Sequence, residues 1–473
     1  MGCNKSLPAQ PIYEMHSMKV EKTAAVKKAP IRRETIIQKE QGDLKDLFEV
    51  LSVIGSTHNG ILLSCRDLRS GTIRTVNEIS KSAEIDYGEI ARELSILNNL
   101  DHPNILKCYQ TLESTRSIYI VFESTDGGPL QNRIKTSCNE VLVAKYMRDI
   151  FSAINYMHVN DVIHCNLHLG NLLLSDSSPD AQPKIVGFSR SQKKSEKEPV
   201  DLTSLNFDHI SPEFLDEDYD EKTDIWSLGI IVYHLLVQKL PFASKKKKEI
   251  LEAIHKGDLD FENPTFQNLS HNAQDFIKKI LKRDKNERFS AMEALNHPYL
   301  HQSSKEVALT YEVVQKMRRF KMKTNIVRAI LTYMNFKLDF KEHNIITLFK
   351  KMDVNFDGNI SKEEMLDSFK QIGIEAEYEI DSIMENLDMD GSGSLDFSEL
   401  KVVLIDWDKE LKKKVLGKVF VGQDDCINFE NFKHELSEIL PSEWTDFCKK
   451  VKVENGKVSL AKLKEYIKAN LAY

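Results

Sequence analysis

Paired cysteines are missing from this chain. Its seven cysteines are scattered over 473 residues with no C-x-x-C pair, which argues against a zinc site or a disulfide framework. A reducing, cytoplasmic setting is expected. Long apolar runs are missing too. Nothing approaches the roughly 20 residues that span a bilayer, and the longest candidate, around Leu228 to Leu236, reads as a buried core helix. Positive charge has no surplus. A formal net charge of -7 argues against a general electrostatic grip on nucleic acid, and no nucleic-acid partner is expected. What remains, 41% hydrophobic and 29% charged, is ordinary for globular protein. At this length two or more domains are expected.

The chain opens Met1-Gly2-Cys3-Asn4-Lys5-Ser6. Gly2 followed by Ser6 fits N-myristoylation, and Cys3 is placed for palmitoylation. A single myristoyl chain binds membranes only marginally, with K on the order of 10⁴ M⁻¹. Cys3 and the basic residues Lys19, Lys22, Lys27, Lys28, Arg32 and Arg33 would supply the second attraction, toward anionic lipid. Pro8, Pro11 and Pro30 discourage regular structure. Residues 1–44 are therefore expected to be a disordered, lipidation-type tail on the cytosolic face of a membrane.

From Phe48 short β-rich runs alternate with turn residues, and helical periodicity takes over after Val141. Within this region Val162-Ile163-His164-Cys165-Asn166-Leu167-His168-Leu169-Gly170-Asn171 resembles the catalytic loop of protein kinases, His-Arg-Asp, four spacers and Asn. The resemblance implies that Asn171 stands where that family holds magnesium and that Asn166 replaces the catalytic base. It extends over residues 45–300. Gly55 and Gly60 match a glycine-rich phosphate loop, although Thr57 replaces its second glycine. Asn77 stands at the phosphate-contacting lysine, Glu93 at that lysine's acidic partner, and Gly187 at the metal-holding aspartate before Phe188. Cation, base and metal ligand are thus all replaced by uncharged residues, which weakens the case for ATP and magnesium binding. Scaffold positions persist in Ser211-Pro212-Glu213, Asp224-Ile225-Trp226 and Arg288, and in a hydrophobic spine through Leu97, His164 and Phe188. Replacement groups such as Lys81 for Asn77 would be needed for a slow, divergent kinase, whereas nothing offers to replace Gly187. The run Lys245 to Lys248 reads as a solvated loop.

Residues 301–340 read as a junction. Val313, Val314, Met317, Phe320, Ile326, Val327, Ile330, Leu331 and Met334 recur at helical spacing, with Lys316, Arg318, Arg319, Lys321, Lys323 and Arg328 between them. One basic amphipathic helix from Tyr311 to Met334 is expected, suited to a methionine-lined, acid-flanked groove.

Two twelve-residue calcium loops follow. Asp353, Asn355, Asp357, Asn359 and Glu364 occupy the ligand positions of the first, around the turn glycine Gly358. Asp388, Asp390, Ser392, Ser394 and Glu399 repeat the pattern 35 residues on. Two later loops keep the helical rhythm and lose the ligands: Asn431 stands at the last position of one, and Val451, Val453 and Lys462 stand in the other. They are expected to be structural EF-hands.

Taken together the chain resembles the calcium-dependent protein kinases. The implied architecture is multidomain α+β: a two-lobed protein-kinase fold, then an all-α calmodulin-like EF-hand domain over 341–473. The implied cofactor is calcium, and the implied first partner is the chain's own junction helix. The expected function is that of a membrane-tethered, calcium-responsive pseudokinase acting as scaffold or allosteric regulator of protein partners the sequence does not name. The alternative expectation is a divergent but active calcium-dependent serine/threonine kinase.

Overall fold

The computed structural model describes residues 39–472 apart from 82–85, 135–138, 197–206, 243–245, 258, 302–308, 339, 341–342, 413–414, 421, 424–425 and 437–438. The lipidation candidates Gly2 and Cys3 lie outside the described residues, as does Lys245 of the lysine run.

The first lobe is a six-stranded sheet of β1 (Lys39–Gln41), β2 (Phe48–Ser56), β3 (Ile61–Asp67), β4 (Ile73–Ser80), β5 (Cys108–Glu113) and β6 (Ser117–Glu123), ordered β1-β5-β6-β4-β3-β2. The β2-to-β4 strands form an antiparallel meander, and β4 then pairs with β6. Here the expected tail boundary at residue 44 is corrected. Lys39 already pairs in parallel with Thr111, and Gly42 donates to the Glu113 carbonyl. An open β5 edge would leave backbone groups unpaired, and the chain before residue 45 covers it. Helix α1 (Tyr87–Asn99) begins at Asp86, whose carboxylate accepts from the Gly88 and Glu89 amides. That N-cap satisfies donors the helix cannot.

The second lobe is helical. Asn139 caps α2 (Glu140–Val159) by accepting from the Leu142 amide. Helix α3 (Lys222–Val237) is buried almost all round, as a helix apolar on every side must be. The Arg288 guanidinium, 1% exposed, pairs with both carboxylate oxygens of Glu213 and lies 5.0 Å from the Trp226 ring centroid. A buried charge needs such complete pairing.

The junction is two helices, which corrects the single helix expected from Tyr311 to Met334. Helix α4 (Tyr311–Arg319) stops at Phe320, strand β7 (Lys321–Met322) follows, and α5 (Asn325–Lys337) starts anew. Thr324 caps α5 by accepting from the Val327 amide. The periodicity carries through the break, but a long-range pairing overrides it: β7 runs antiparallel to β12 (Leu471–Ala472) at the carboxyl end, and Lys323 donates to the Asn470 carbonyl. The apolar junction residues Val314, Met317, Phe320, Val327, Ile330 and Met334 are buried in one core with the EF-hand helices.

Four helices carry the first EF-hand pair: α6 (His343–Met352), α7 (Lys362–Lys370), α8 (Ile380–Leu387) and α9 (Phe397–Leu404). Their loops are tied by β8 (Asn359–Ile360) against β9 (Leu395–Asp396). In the second pair β10 (Cys426–Asn428) lies against β11 (Lys457–Ser459), ahead of α11 (Leu460–Asn470) and after α10 (Pro441–Val451). The same apolar core continues into the kinase lobe through Leu63, Val76, Tyr109 and Val121. Across that seam the Arg74 guanidinium donates to the Lys337 carbonyl, 263 residues away, and Lys337 donates to the Gln110 amide oxygen at 3.0 Å.

Candidate functional site

In the interlobe cleft the backbone frame is intact. His164 is fully buried, donates its amide to the Asp224 carboxylate at 2.9 Å, and packs its ring 5.0 Å from that of Phe188. Burial pushes its imidazole down to about 4, so it is neutral near pH 7 and its Nε2 donates to the Val186 carbonyl. The Cys165 amide reaches the other Asp224 oxygen, which holds Cys165 at a φ of 62°. Asp224 thereby shapes the loop as one rigid turn.

The polar side chains that this frame presents are neutral. Asn77 lies on β4, and its Oδ1 meets the Thr57 hydroxyl at 3.5 Å. A Cβ at Gly60 would lie 2.5 Å from that same oxygen, so glycine is required for β3 to pass so close. Asn171 donates its amide to the Asn166 carbonyl at 2.8 Å. Its side chain also fills the space above Gly187, where a Cβ would fall 2.6 Å from Asn171 Nδ2. Gly187 itself sits at a φ of 83°, a left-handed conformation that favours glycine. Residues 171 and 187 are thus matched to each other.

Glu93 projects from α1 without a lysine opposite. Among the described residues it pairs with no cation; burial first, then the like charge of Glu89, pushes its carboxyl up to about 7. Lys81 is engaged elsewhere, with Glu113 at 2.5 Å. Sequence reasoning missed a further contact: His58, at the tip of the glycine-rich turn, meets Glu89 at 2.6 Å. The turn is therefore fastened to α1. A histidine in a turn and a glutamate on a helix carry no signal of pairing until the fold brings them together.

The calcium loops keep their charge. In the second, oxygens of Asp388, Asp390 and Glu399 lie within 4.8 Å of one another, and this is the only such trio among the described residues. Glu399 is raised well above the ordinary carboxyl range, by burial and by the charges of Asp396 and Asp390. In the first loop Asp353 accepts from the Asp357 and Gly358 amides, Asn355 from Asp357, and Asp357 from Asn359. Glu364 closes the loop on the Val354 and Asn355 amides. Asp353 is pushed up to about 7 by burial and by Asp357. Clustered carboxylates that resist ionising are the donor set a hard divalent cation relieves. Calcium fits both loops. Ser392 and Ser394 lie on the exposed side of the second.

The fourth loop carries a charge of the opposite sign. Lys462, in the place of Glu364 and Glu399, reaches the Lys452 carbonyl at 3.5 Å and the Glu454 carboxylate at 3.1 Å. Its ammonium closes the loop from inside the chain. In the third loop Asn428 caps the exiting helix by accepting from the Asn431 amide, while Val421, Asp424 and Asp425 lie outside the described residues.

Comparisons with known proteins match two stretches of the chain. A protein kinase domain family matches residues 48–300, and an EF-hand domain pair matches 342–404. The chain is 29% identical over 442 residues to calcium-dependent protein kinase 4 of Plasmodium falciparum (isolate 3D7), covering 86% of this chain and 84% of that protein. It is 28% identical to calcium-dependent protein kinase 3 of Plasmodium berghei (strain Anka), covering 84% and 74%. With a protein kinase domain over more than half its length the chain belongs to the protein kinase family, and the EF-hand pair behind that domain, with the calcium-dependent protein kinases it is similar to, supports a calcium-regulated, kinase-type protein.

Proposed function

We propose that this calcium-regulated, kinase-type protein is a pseudokinase: calcium acts on its EF-hands, and the kinase domain serves as scaffold or allosteric partner instead of transferring phosphate. The observation that carries this reading is the mutual fit of Gly187 and Asn171, beside an uncharged Asn77 and Asn166. A magnesium ion bridging phosphates needs an anionic ligand at residue 187. No L side chain enters there without displacing Asn171, so the residues present do not fit Mg·ATP. A positioned general base alone contributes about 10²–10⁴-fold, and Asn166 cannot act as one. Losses within one catalytic unit are not additive, yet among the described residues the candidate replacement cation, Lys81, is held by Glu113.

Calcium binding at Asp353–Glu364 and Asp388–Glu399 would reorient α6 to α9 and with them the junction helices packed among them. The basic junction residues are anchored there: Lys316 donates to the Leu404 and Ile405 carbonyls, Arg318 to the Glu379 carboxylate, and Arg328 to the Met389 carbonyl. Myristoyl and palmitoyl groups on Gly2 and Cys3 would hold this switch at a membrane. Among the described residues no helix is long and apolar enough to cross one.

The test is radiolabelled phosphate transfer to a serine/threonine peptide with and without calcium, beside a thermal-shift titration with Mg·ATP. We expect no calcium-stimulated transfer and no Mg·ATP shift, while calcium alone raises the melting temperature. Calcium-stimulated transfer that Asn166→Ala abolishes would establish the divergent active kinase instead. Vesicle co-sedimentation of the acylated protein, lost in Gly2→Ala, tests the tether.

A further inference from the structure

The two calcium loops differ at their fourth position. In the second loop Gly391 takes a φ of 77° there, and a Cβ built on it would meet nothing within 4 Å. In the first loop the same place is held by Phe356, at a φ of 54°. A left-handed conformation disfavours a bulky L residue, so the phenyl group must be compensated by something outside the loop. It is. Phe356 is 8% exposed and packs in the apolar core of the kinase domain's helical lobe, away from the core of its own EF-hand domain. The Asn155 side-chain amide on α2 donates to the Phe356 carbonyl at 2.7 Å, a buried bond across 201 residues. Two residues on, Gly358 comes so close to α2 that a Cβ would lie 2.0 Å from the Tyr156 ring. The loop's entering helix adds an ion pair, Lys350 with Asp149 at 2.8 Å.

We infer that the first calcium loop and α2 form a single coupled unit: docking of Phe356 onto the kinase domain fixes the left-handed turn that the loop needs to hold calcium, and calcium in turn tightens the docking. The second loop is also held from outside, at Met389 by Arg328 and at Ser398 by Asp101, but its left-handed turn is supplied by Gly391 and has no packed side chain to seat. Reciprocity follows from linkage, because a contact that favours the calcium-competent turn must be favoured equally by calcium. The inference rests on calcium binding by the first loop and is independent of whether the cleft transfers phosphate.

The experiment uses the full chain carrying Glu399→Gln, so that the first loop alone reports. Calorimetry should show one calcium site, weakened about fivefold by adding Asn155→Ala, the factor expected for one lost hydrogen bond. Hydrogen exchange of the peptide spanning 148–159 should slow on calcium addition. That response should vanish in Phe356→Asn, since asparagine tolerates the left-handed turn but cannot fill the pocket. Unchanged affinity in Asn155→Ala, or calcium-dependent protection that survives Phe356→Asn, would overturn the coupling. Absence of any calcium uptake in the Glu399→Gln chain would remove the first loop as a calcium site, and the coupling with it.

Discussion

The interlobe cleft and the calcium loops are both places where backbone geometry gathers groups for an ion, and they have diverged in opposite ways. The cleft keeps its frame and has lost its charge: Asp224 still orders the loop from His164 to Cys165, while residues 77, 166 and 187 carry none. The loops keep carboxylates so crowded that burial and repulsion hold Asp353 and Glu399 above their ordinary range. A site that stores unfavourable carboxylate repulsion invites a cation. Residues 77, 166 and 187 of the cleft offer a cation no carboxylate.

The sharpest way to break this comparison is to remove the cation. With free calcium near 100 times the dissociation constant, each site should stabilise the protein by about 2.7 kcal/mol. Chelation should reverse that gain in a thermal melt, and Glu364→Gln should cut the calorimetric stoichiometry from two to one. Restoring charge to the cleft is the converse experiment. Gly187→Asp should destabilise by about 1–3 kcal/mol, the cost of forcing a side chain into a left-handed turn, and should not by itself create phosphate transfer. Pairing it with Asn171→Ala should recover part of the loss if the clash between the two residues is the cause.

A smaller effect concerns pH. The Glu93 carboxyl, pushed up to about 7 from 4.5, binds a proton in the folded protein that the unfolded chain has released. Its contribution is therefore greatest below pH 4.5, declines as pH rises toward about 7, and is level above that. Glu93→Gln should flatten the decline, a difference of roughly 1–3 kcal/mol between the two proteins in denaturant melts at pH 5 and 8. Asn77→Lys should do the same by ionising Glu93 against a cation. The smallest effect is expected at the fourth loop. Lys462 and Glu454 are 38% and 75% exposed, so Lys462→Ala should cost under about 1 kcal/mol and leave calcium stoichiometry at two.

Much of this was legible in the chain as written. Glu213, Asp224 and Arg288 mark the kinase scaffold through their resemblance to the family's motifs, and the structure gives each its buried partner; the calcium loops announce themselves by ligand spacing. What could not be read is long-range. The fastening of His58 to Glu89, the β1 edge at Lys39, the pairing that splits α4 from α5 and the seat of Phe356 on α2 all join segments with no local signature. Phe356 is the instructive case: in the sequence it is one more apolar residue inside a ligand pattern, and only its φ and its burial show that the pattern is finished by another domain.

The pairing of β7 with β12 has a practical consequence. Because Leu471 and Ala472 are stitched to Lys321 and Met322, strand β12 is a fastener for the bend between α4 and α5. Trimming those residues, or loading a bulky fluorescent reporter onto them, would disturb the bend between the two junction helices. An assay built on such a fusion would report its own label.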